Sequence, residues 1–426
     1  MPTGIGCKIK YFRMKQKLTQ EELAEGIVSV SYLSKIERNS ADPNPTAVKQ
    51  LCERLNINPE RVIDDNIAEL VNQWTDQLLS RNLAMSHDTY QKIERNIEKV
   101  IDADLFWLVE LHTLYYFILT DQRKLAERKF KFLEQDTQKF SKEEFYFWLK
   151  FSSHFYYMLA SYEQAFNGFI KAEKLFSRVF EDQDEEYYDL VFQVAKTASL
   201  LHYTYHSTMY ADRALDYYRE NYKLGRAAKC HILKGTNFKR MREMDEALHH
   251  FETSQDLAER LKDKTILYLV YEAMGELFYD QHLTTQALDY YMRSYDIVKH
   301  SYTLHELKAI LGLIKTEIQL GELEQAAGWH EKGLIIIEET ADLAPRYVYQ
   351  LRVLYFVIHG YDKAFETLLQ KEVLPYFKAR SLHLPYAAYL KLLADYYYSQ
   401  RKYKQSAEYY NEAHKALNDI RTFDNQ

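Results

Sequence analysis

Apolar residues fall at helical spacing from the start of the chain. Ile5, Ile9 and Phe12 form a first stripe, which predicts a helix over 5–17. Lys8, Arg13, Lys15 and Lys17 are expected to project from it or lie at its end. Thr19 and Glu22 have the spacing of a capping box, which marks the start of a second helix. Leu23, Ala24 and Ile27 form its inner face. Gly26, Ile27 and Val28 make a tight turn, and Ser29 or Ser31 caps a third helix with Leu33, Ile36 and Tyr32 inward. A polar loop from Asn39 to Asn44 precedes Pro45, which suits the first position of a fourth helix carrying Ala47, Val48, Leu51, Cys52 and Leu55. Asn56 ends it. Pro59 predicts a short fifth helix with Val62 and Ile63, closing a domain over 1–66.

Residues 67–104 predict a linker hairpin. Leu70, Trp74, Gln77 and Leu78 mark one amphipathic helix; Tyr90, Ile93, Ile97, Val100 and Ile101 mark a second. From 105 to 426 the pattern repeats. A small residue is followed four positions later by an aromatic and three after that by another small residue, as in Ala165-Phe169-Ala172, Ala214-Tyr218-Asn221, Ala247-Phe251-Ser254, Ala287-Tyr291-Ser294 and Ser406-Tyr410-Ala413. Weaker copies begin at Ala126, Ala326 and Ala364. About nine residues before each small position an aromatic recurs, among them Phe117, Tyr156, Tyr205, Phe238, Phe278, Tyr355 and Tyr397. Still earlier come small residues such as Ser153, Gly235, Gly275 and Ala394.

Two short helices around a fixed turn, the second with a polar outer face, suit a DNA major groove. Leu18-Thr19-Gln20-Glu21-Glu22-Leu23-Ala24 and Tyr32-Leu33-Ser34-Lys35-Ile36-Glu37-Arg38 resemble the Cro/repressor class of helix-turn-helix domains. That class usually has Gly where Ile27 stands, with Gly26 here one place early. Val30, Ser31, Ser34 and Lys35 are candidates for base edges: Ser and Lys donate, and Val30 suits a thymine methyl. Arg38, Asn39 and Asn44 are candidates for phosphates. Gln20 resembles the residue of that class that contacts phosphate. One such head buries little DNA, so a homodimer or higher oligomer on two half-sites is expected.

The repeats show the tetratricopeptide pattern, in which helix pairs of roughly 34 residues stack because none buries its apolar face alone. The small residues sit where the A and B helices of a pair cross. The expected fold is all-α: a five-helix lambda-repressor-like head, then a right-handed solenoid of eight pairs. Only 12 Gly and 7 Pro interrupt 426 residues, which supports helices throughout. The steps between the small residues run from 33 to 49, the longest spanning an acidic EDQDEE stretch at 181–186.

Net charge is −7, yet residues 1–54 carry nine Lys and Arg against six Asp and Glu, a basic head on an acidic body. Cys7, Cys52 and Cys230 are odd in number and far apart, against both a disulfide framework and a zinc site. No apolar run approaches 18 residues and no signal-like start occurs, so a cytoplasmic protein with no membrane association is expected. No phosphate loop, HExxH or GxSxG occurs, and His249-His250 is the closest histidine pair, on an exposed helix. No catalytic residue, metal or cofactor is expected.

Register counting puts His154 and Tyr157, Tyr203 and His206, Lys239 with nearby Asn237, then Glu272, Glu276, Tyr279 and Asp280, and finally Lys308, Lys315 and Gln319 on the concave wall lined by A helices. Alternating charges with amide and hydroxyl groups between them suit an extended peptide with charged ends.

A repressor-type head on tetratricopeptide repeats resembles the Rap–NprR–PlcR family of peptide-pheromone receptors, most nearly the NprR branch. The resemblance implies that a short re-imported signalling peptide binds the concave groove and controls sequence-specific binding to double-stranded DNA. It implies that Asn side chains on A helices hold the peptide backbone, with Asn237 the best-placed match. The alternative is a response-regulator-binding anti-activator or phosphatase-like protein of the Rap type, which uses a linker glutamine. Here Arg95 falls at that position and Gln91 a turn away.

Overall fold

The structure is a computed structural model that describes residues 4–38, 40–61, 64–180, 185–301, 303–340 and 343–424. The chain divides into two compact units, Met1–Leu159 with Asn167–Asp182, and Ala160–Phe166 with Gln183–Gln426. The division falls inside the expected 105–426 repeat domain, at its second helix pair. The described residues contain helices and no strands.

The first unit begins with four short helices, α1 (Ile5–Lys15), α2 (Gln20–Ala24), α3 (Val30–Glu37) and α4 (Pro45–Leu55). The predicted caps form. Thr19 Oγ accepts the Glu22 N–H at 3.1 Å and Glu22 accepts the Thr19 N–H at 2.7 Å. Ser29 caps α3 and Asn44 caps α4, with Pro45 at its first position. Asn56 ends α4 in the left-handed region. Gly26, at φ +72°, supplies the left-handed residue of the turn, so Ile27 need not. The four helices enclose Ile9, Leu23, Leu33, Ile36, Leu51, Cys52 and Leu55.

Residues 57–61 form no helix, contrary to the prediction at Pro59, and Val62 and Ile63 lie outside the described residues. The segment instead runs as a strap tied by polar contacts. Glu98 accepts the Asn58 N–H at 2.8 Å, and Arg61 bonds the Asp102 carbonyl and the Asp104 carboxylate.

Next come α5 (Asp65–Leu79), α6 (Leu83–Arg95) and α7 (Ile97–Asp102). The second predicted linker helix breaks at Asn96, so Ile93 and Val100 lie on different helices. Trp74 is fully buried, donates to Ser86 Oγ at 3.1 Å and stacks on Tyr90. The unit continues through α8 (Phe106–Leu119), α9 (Arg123–Glu134) and α10 (Lys142–Met158). α11 (Tyr162–Val179) spans the division between the units.

The head is seated on this first unit by α1. Lys8, expected to project outward, is 1% exposed. Its ammonium lies 2.9 Å from Glu98 and 3.0 Å from Asp102, both on α7. Lys99 on the same short helix bridges to Asp64 at 2.8 Å. Three polar residues of α7 therefore hold the head and the strap behind it.

The second unit stacks successive antiparallel pairs: α12 (Glu185–Leu200) with α13 (Thr204–Glu220), α14 (Leu224–Arg240) with α15 (Met244–Leu261), and α16 (Lys264–Asp280) with α17 (Thr284–Val298). Then follow α18 (Leu304–Leu320) with α19 (Leu323–Glu339), α20 (Pro345–His359) with the short α21 (Lys363–Leu368), and α23 (His383–Ser399) with α24 (Tyr403–Asp424). A π-helical segment, Leu369–Val373, and α22 (Leu374–Lys378) follow α21.

The small-residue rule has a visible cause. A Cβ on Gly275 would come within 2.8 Å of the Tyr291 ring, and one on Gly312 within 2.4 Å. Tyr291 thus fills a slot between its own A helix and the next, which only backbone can border. Ala126, Ala165, Ala247, Ala287, Ala326 and Ser406 each stand fourth in their B helix and are buried.

Two copies depart. Ala214 stands eleventh in α13; the fourth position is Ser207, fully buried, whose hydroxyl donates to the Ala195 carbonyl at 2.9 Å. Positions seven apart share a helix face, so Ala214 and Tyr218 imitate the motif two turns late. With Ser207 in place of Ala214 the irregular 49-residue step disappears. Ala364 is exposed at the second position of α21, and the π segment takes over the packing. Tyr205 and Tyr355 accordingly point outward, at 68% and 46% exposed.

Candidate functional site

On the head, Val30, Ser31, Lys35 and Arg38 are exposed along one side of α3 and its end, and Ser34 is partly covered beside them. Asn39 lies outside the described residues. Hydroxyl, ammonium and guanidinium donors beside a branched methyl pair are what reading a groove requires. The helix is held at both ends. The Tyr32 hydroxyl accepts the Asn44 N–H at 3.0 Å, which ties α3 to the residue capping α4 and engages the Asn44 backbone.

Beneath α3, Glu37 is buried and takes Arg13 in a two-point pair at 2.6 and 3.0 Å. Gln20 donates to the same carboxylate at 2.7 Å, so its amide lies against the head rather than open. Sequence spacing assigned Arg13 to the outside because a buried acid on another helix leaves no mark in the pattern of α1.

In the first unit His154 and Tyr157 lie on α10. His154 is buried, its ring 4.9 Å from Tyr115 and 5.0 Å from Phe169. Tyr157 is half-buried.

In the second unit the remaining candidates separate. Tyr203 and His206 do not lie on an A helix: α12 stops at Leu200, and they occupy the turn and first coil of α13, against Phe166. Counting back from Ala214 instead of Ser207 displaced them. Asn237 is 0% exposed, and both ends of its amide are engaged. Its Nδ2 donates to Ser207 at 2.8 Å and Thr208 at 3.2 Å, and its Oδ1 accepts from Ser199 at 3.3 Å. It brackets α14 to α12 and α13.

The other candidates form a charged ladder across α14, α16 and α18. Lys239 reaches Asp280 at 3.0 Å and Glu276 at 3.2 Å; Lys308 reaches Glu272 at 2.8 Å. Glu276 keeps 61% of its side-chain surface open to solvent, yet protein surrounds it. That enclosure pushes its carboxyl up, but Lys239, Lys315 and Arg240 outweigh the effect and hold it below the usual carboxylate range. Enclosure pulls the Lys315 ammonium down despite Glu276, Asp280 and Glu272 nearby. Burial, reinforced by Asp280, raises Tyr279. The acidic middle rung of the ladder, flanked by basic ones, offers ion pairs at several points along an extended chain.

Sequence reasoning missed His202, Arg240 and Arg346. They line one small cavity of about 120 Å³ with Leu200, Leu201, Phe377 and Leu382. Arg240 donates to the Ser199 carbonyl at 2.6 Å. Burial, with Arg240 and Lys239 nearby, drops His202 to about 3. α13 also touches α24, so the unit curls until distant repeats meet. No local pattern records such closure. His250, expected on an exposed helix, is buried and shares a hydrogen bond with His231 at 2.9 Å.

Residues 9–62 match the helix-turn-helix family. The chain is 28% identical over 410 residues to the transcriptional activator NprA of Geobacillus stearothermophilus, covering 93% of this chain and 99% of that one. It shares its fold with a Rap protein complexed with competence and sporulation factor, at TM-score 0.74 and 20% identity, covering 84% of this chain and 99% of that chain. It also shares it with NprR in complex with its cognate peptide NprX, at TM-score 0.68 and 19% identity, covering 84% and 100%. With a helix-turn-helix head, the repeat fold behind it and a relative matched over nearly its whole length, the chain is similar to the Rap–NprR–PlcR proteins, with the NprR-like activator among its relatives.

Proposed function

We propose that this chain is a cytoplasmic transcription regulator whose repeats bind a short signalling peptide and thereby control sequence-specific DNA binding by the head. The observation that carries the reading is the pairing of two surfaces in one chain. One is the exposed donor face of α3, with Ser31 and Lys35 at its centre. The other is the ladder in which Glu272, Glu276 and Asp280 stand between Lys239 and Lys308. The similarity to an activator along its whole length supports the same reading. Peptide acts by binding one arrangement of the protein better than another. A homodimer places two heads on paired half-sites.

The test has two arms. Fluorescence anisotropy on duplexes enriched by repeated selection should show sequence preference, lost with Ser31→Ala plus Lys35→Ala. Mass spectrometry of peptide retained by the purified chain should find a short linear peptide, lost with Lys239→Glu. A chain with no duplex preference, with or without retained peptide, refutes the proposal.

A second reading, docking of a response regulator, draws on Gln91. It is exposed on α6 and held by His87 at 2.9 Å. Binding of such a partner lost with Gln91→Ala is its test.

A further inference from the structure

A cavity of about 650 Å³ lies within the first unit, between the head and the helices that carry it. One wall is the outer face of α1 and the end of α3; the other is α8, α9 and the turn that follows. Its floor is aromatic: Tyr11, Phe106, Trp107, Phe132 and Phe140. Tyr11 meets Phe106 edge-on at 5.4 Å and Trp107 stacks on Phe132 at 6.1 Å, with Lys139 and Lys129 over the rings of Trp107 and Phe132.

The charges around the cavity do not cancel. Glu110 is matched by Lys129 at 2.5 Å. Asp136 is shared by Lys139 at 2.7 Å and Lys10 at 3.6 Å, two cations on one acid. Glu37 is neutralised by Arg13 from behind. At the mouth, Lys15 and Arg38 have no ion pair among the described residues, against Glu94 alone. The balance is positive, over an aromatic floor.

We infer that this cavity binds a small planar aromatic anion, with its ring system on Trp107 and Phe132 and its acidic group toward Lys15 and Arg38. The volume fits a free small molecule and excludes a folded segment. The occupant touches head and body together, and so braces the seating of α1. This inference is independent of the proposed peptide site, since none of the ladder residues takes part; Arg38 alone is shared with the proposed DNA face of α3.

The probe is 8-anilinonaphthalene-1-sulfonate, titrated into the full chain and followed by fluorescence, with the neutral N-phenyl-1-naphthylamine in parallel. The expected result is a saturable sulfonate site, with transfer from tryptophan. Lys15→Glu with Arg38→Glu, both exposed positions that spare the core, should weaken the sulfonate at least about tenfold and the neutral probe less than about twofold. Met14→Trp, which narrows the mouth, should weaken both. Circular dichroism checks that each variant keeps its fold. A sulfonate affinity that the double variant leaves unchanged overturns the inference, as does an equal loss for both probes in that variant.

Discussion

Replacing Lys8 by Met tests what seats the head. The side chain is 1% exposed and meets two carboxylates, Glu98 at 2.9 Å and Asp102 at 3.0 Å, with Asp102 itself nearly covered. Met fills nearly the same volume, so packing changes little and the charge alone is lost. The two acids would then face each other on successive turns of α7 with no cation between them. Breaking a buried pair from one side costs about 3–5 kcal/mol, because the remaining charge stays desolvated. Glu98 is 35% exposed and can turn to water, which places the loss at the lower end, about 3 kcal/mol.

Hydrogen exchange by mass spectrometry reads this locally. Peptides covering α1 and the 57–61 strap should exchange roughly a hundredfold faster, while α16 stays unchanged. Adding Asp102→Leu to Lys8→Met should recover at least half of the protection, since a matched apolar replacement removes the orphaned acid. Exchange in α1 altered by less than about twofold would refute the claim that this ion triad holds the head.

Gly312→Val puts carbon where Tyr291 already stands, and should destabilise the second unit by about 2–3 kcal/mol in thermal melts, with Tyr291→Ala restoring part of it. His112 is buried against Phe147 and Phe151, and burial lowers it to about 4 although the Leu108 carbonyl hydrogen bond opposes this. Its folded value lies below the unfolded one, so protonation favours unfolding. The penalty is absent above pH 6.5 and grows as pH falls toward 4, reaching about 2 kcal/mol at pH 5. His112→Phe should flatten that part of the stability profile of the first unit in denaturant titrations. Thr19→Ala removes one side of the capping box and should cost about 1 kcal/mol in head stability, read by exchange at α2.

Local pattern determined a great deal here. The caps at Thr19, Ser29 and Asn44, the inner faces of α1 to α4 and the fourth-position small residues are short-range features, and each is set by neighbours within one or two turns. The exposed donors on α3 were legible for the same reason. Where two positions seven apart both satisfied the motif, as Ser207 and Ala214 do, periodicity had no means to choose between them.

The tertiary structure decided everything that depends on a partner far along the chain. Lys8 and Arg13 are cations on an amphipathic helix, and only the acids opposite them, Asp102 and Glu37, turn them from surface charges into buried ties. Asn237 had the composition of an open donor, and packing against α12 and α13 closed it. Arg240 and Arg346, over a hundred residues apart, line one cavity because the second unit curls. A side chain's polarity is written in the sequence, but whether water, a ligand or another side chain satisfies it depends on which surfaces the fold brings together.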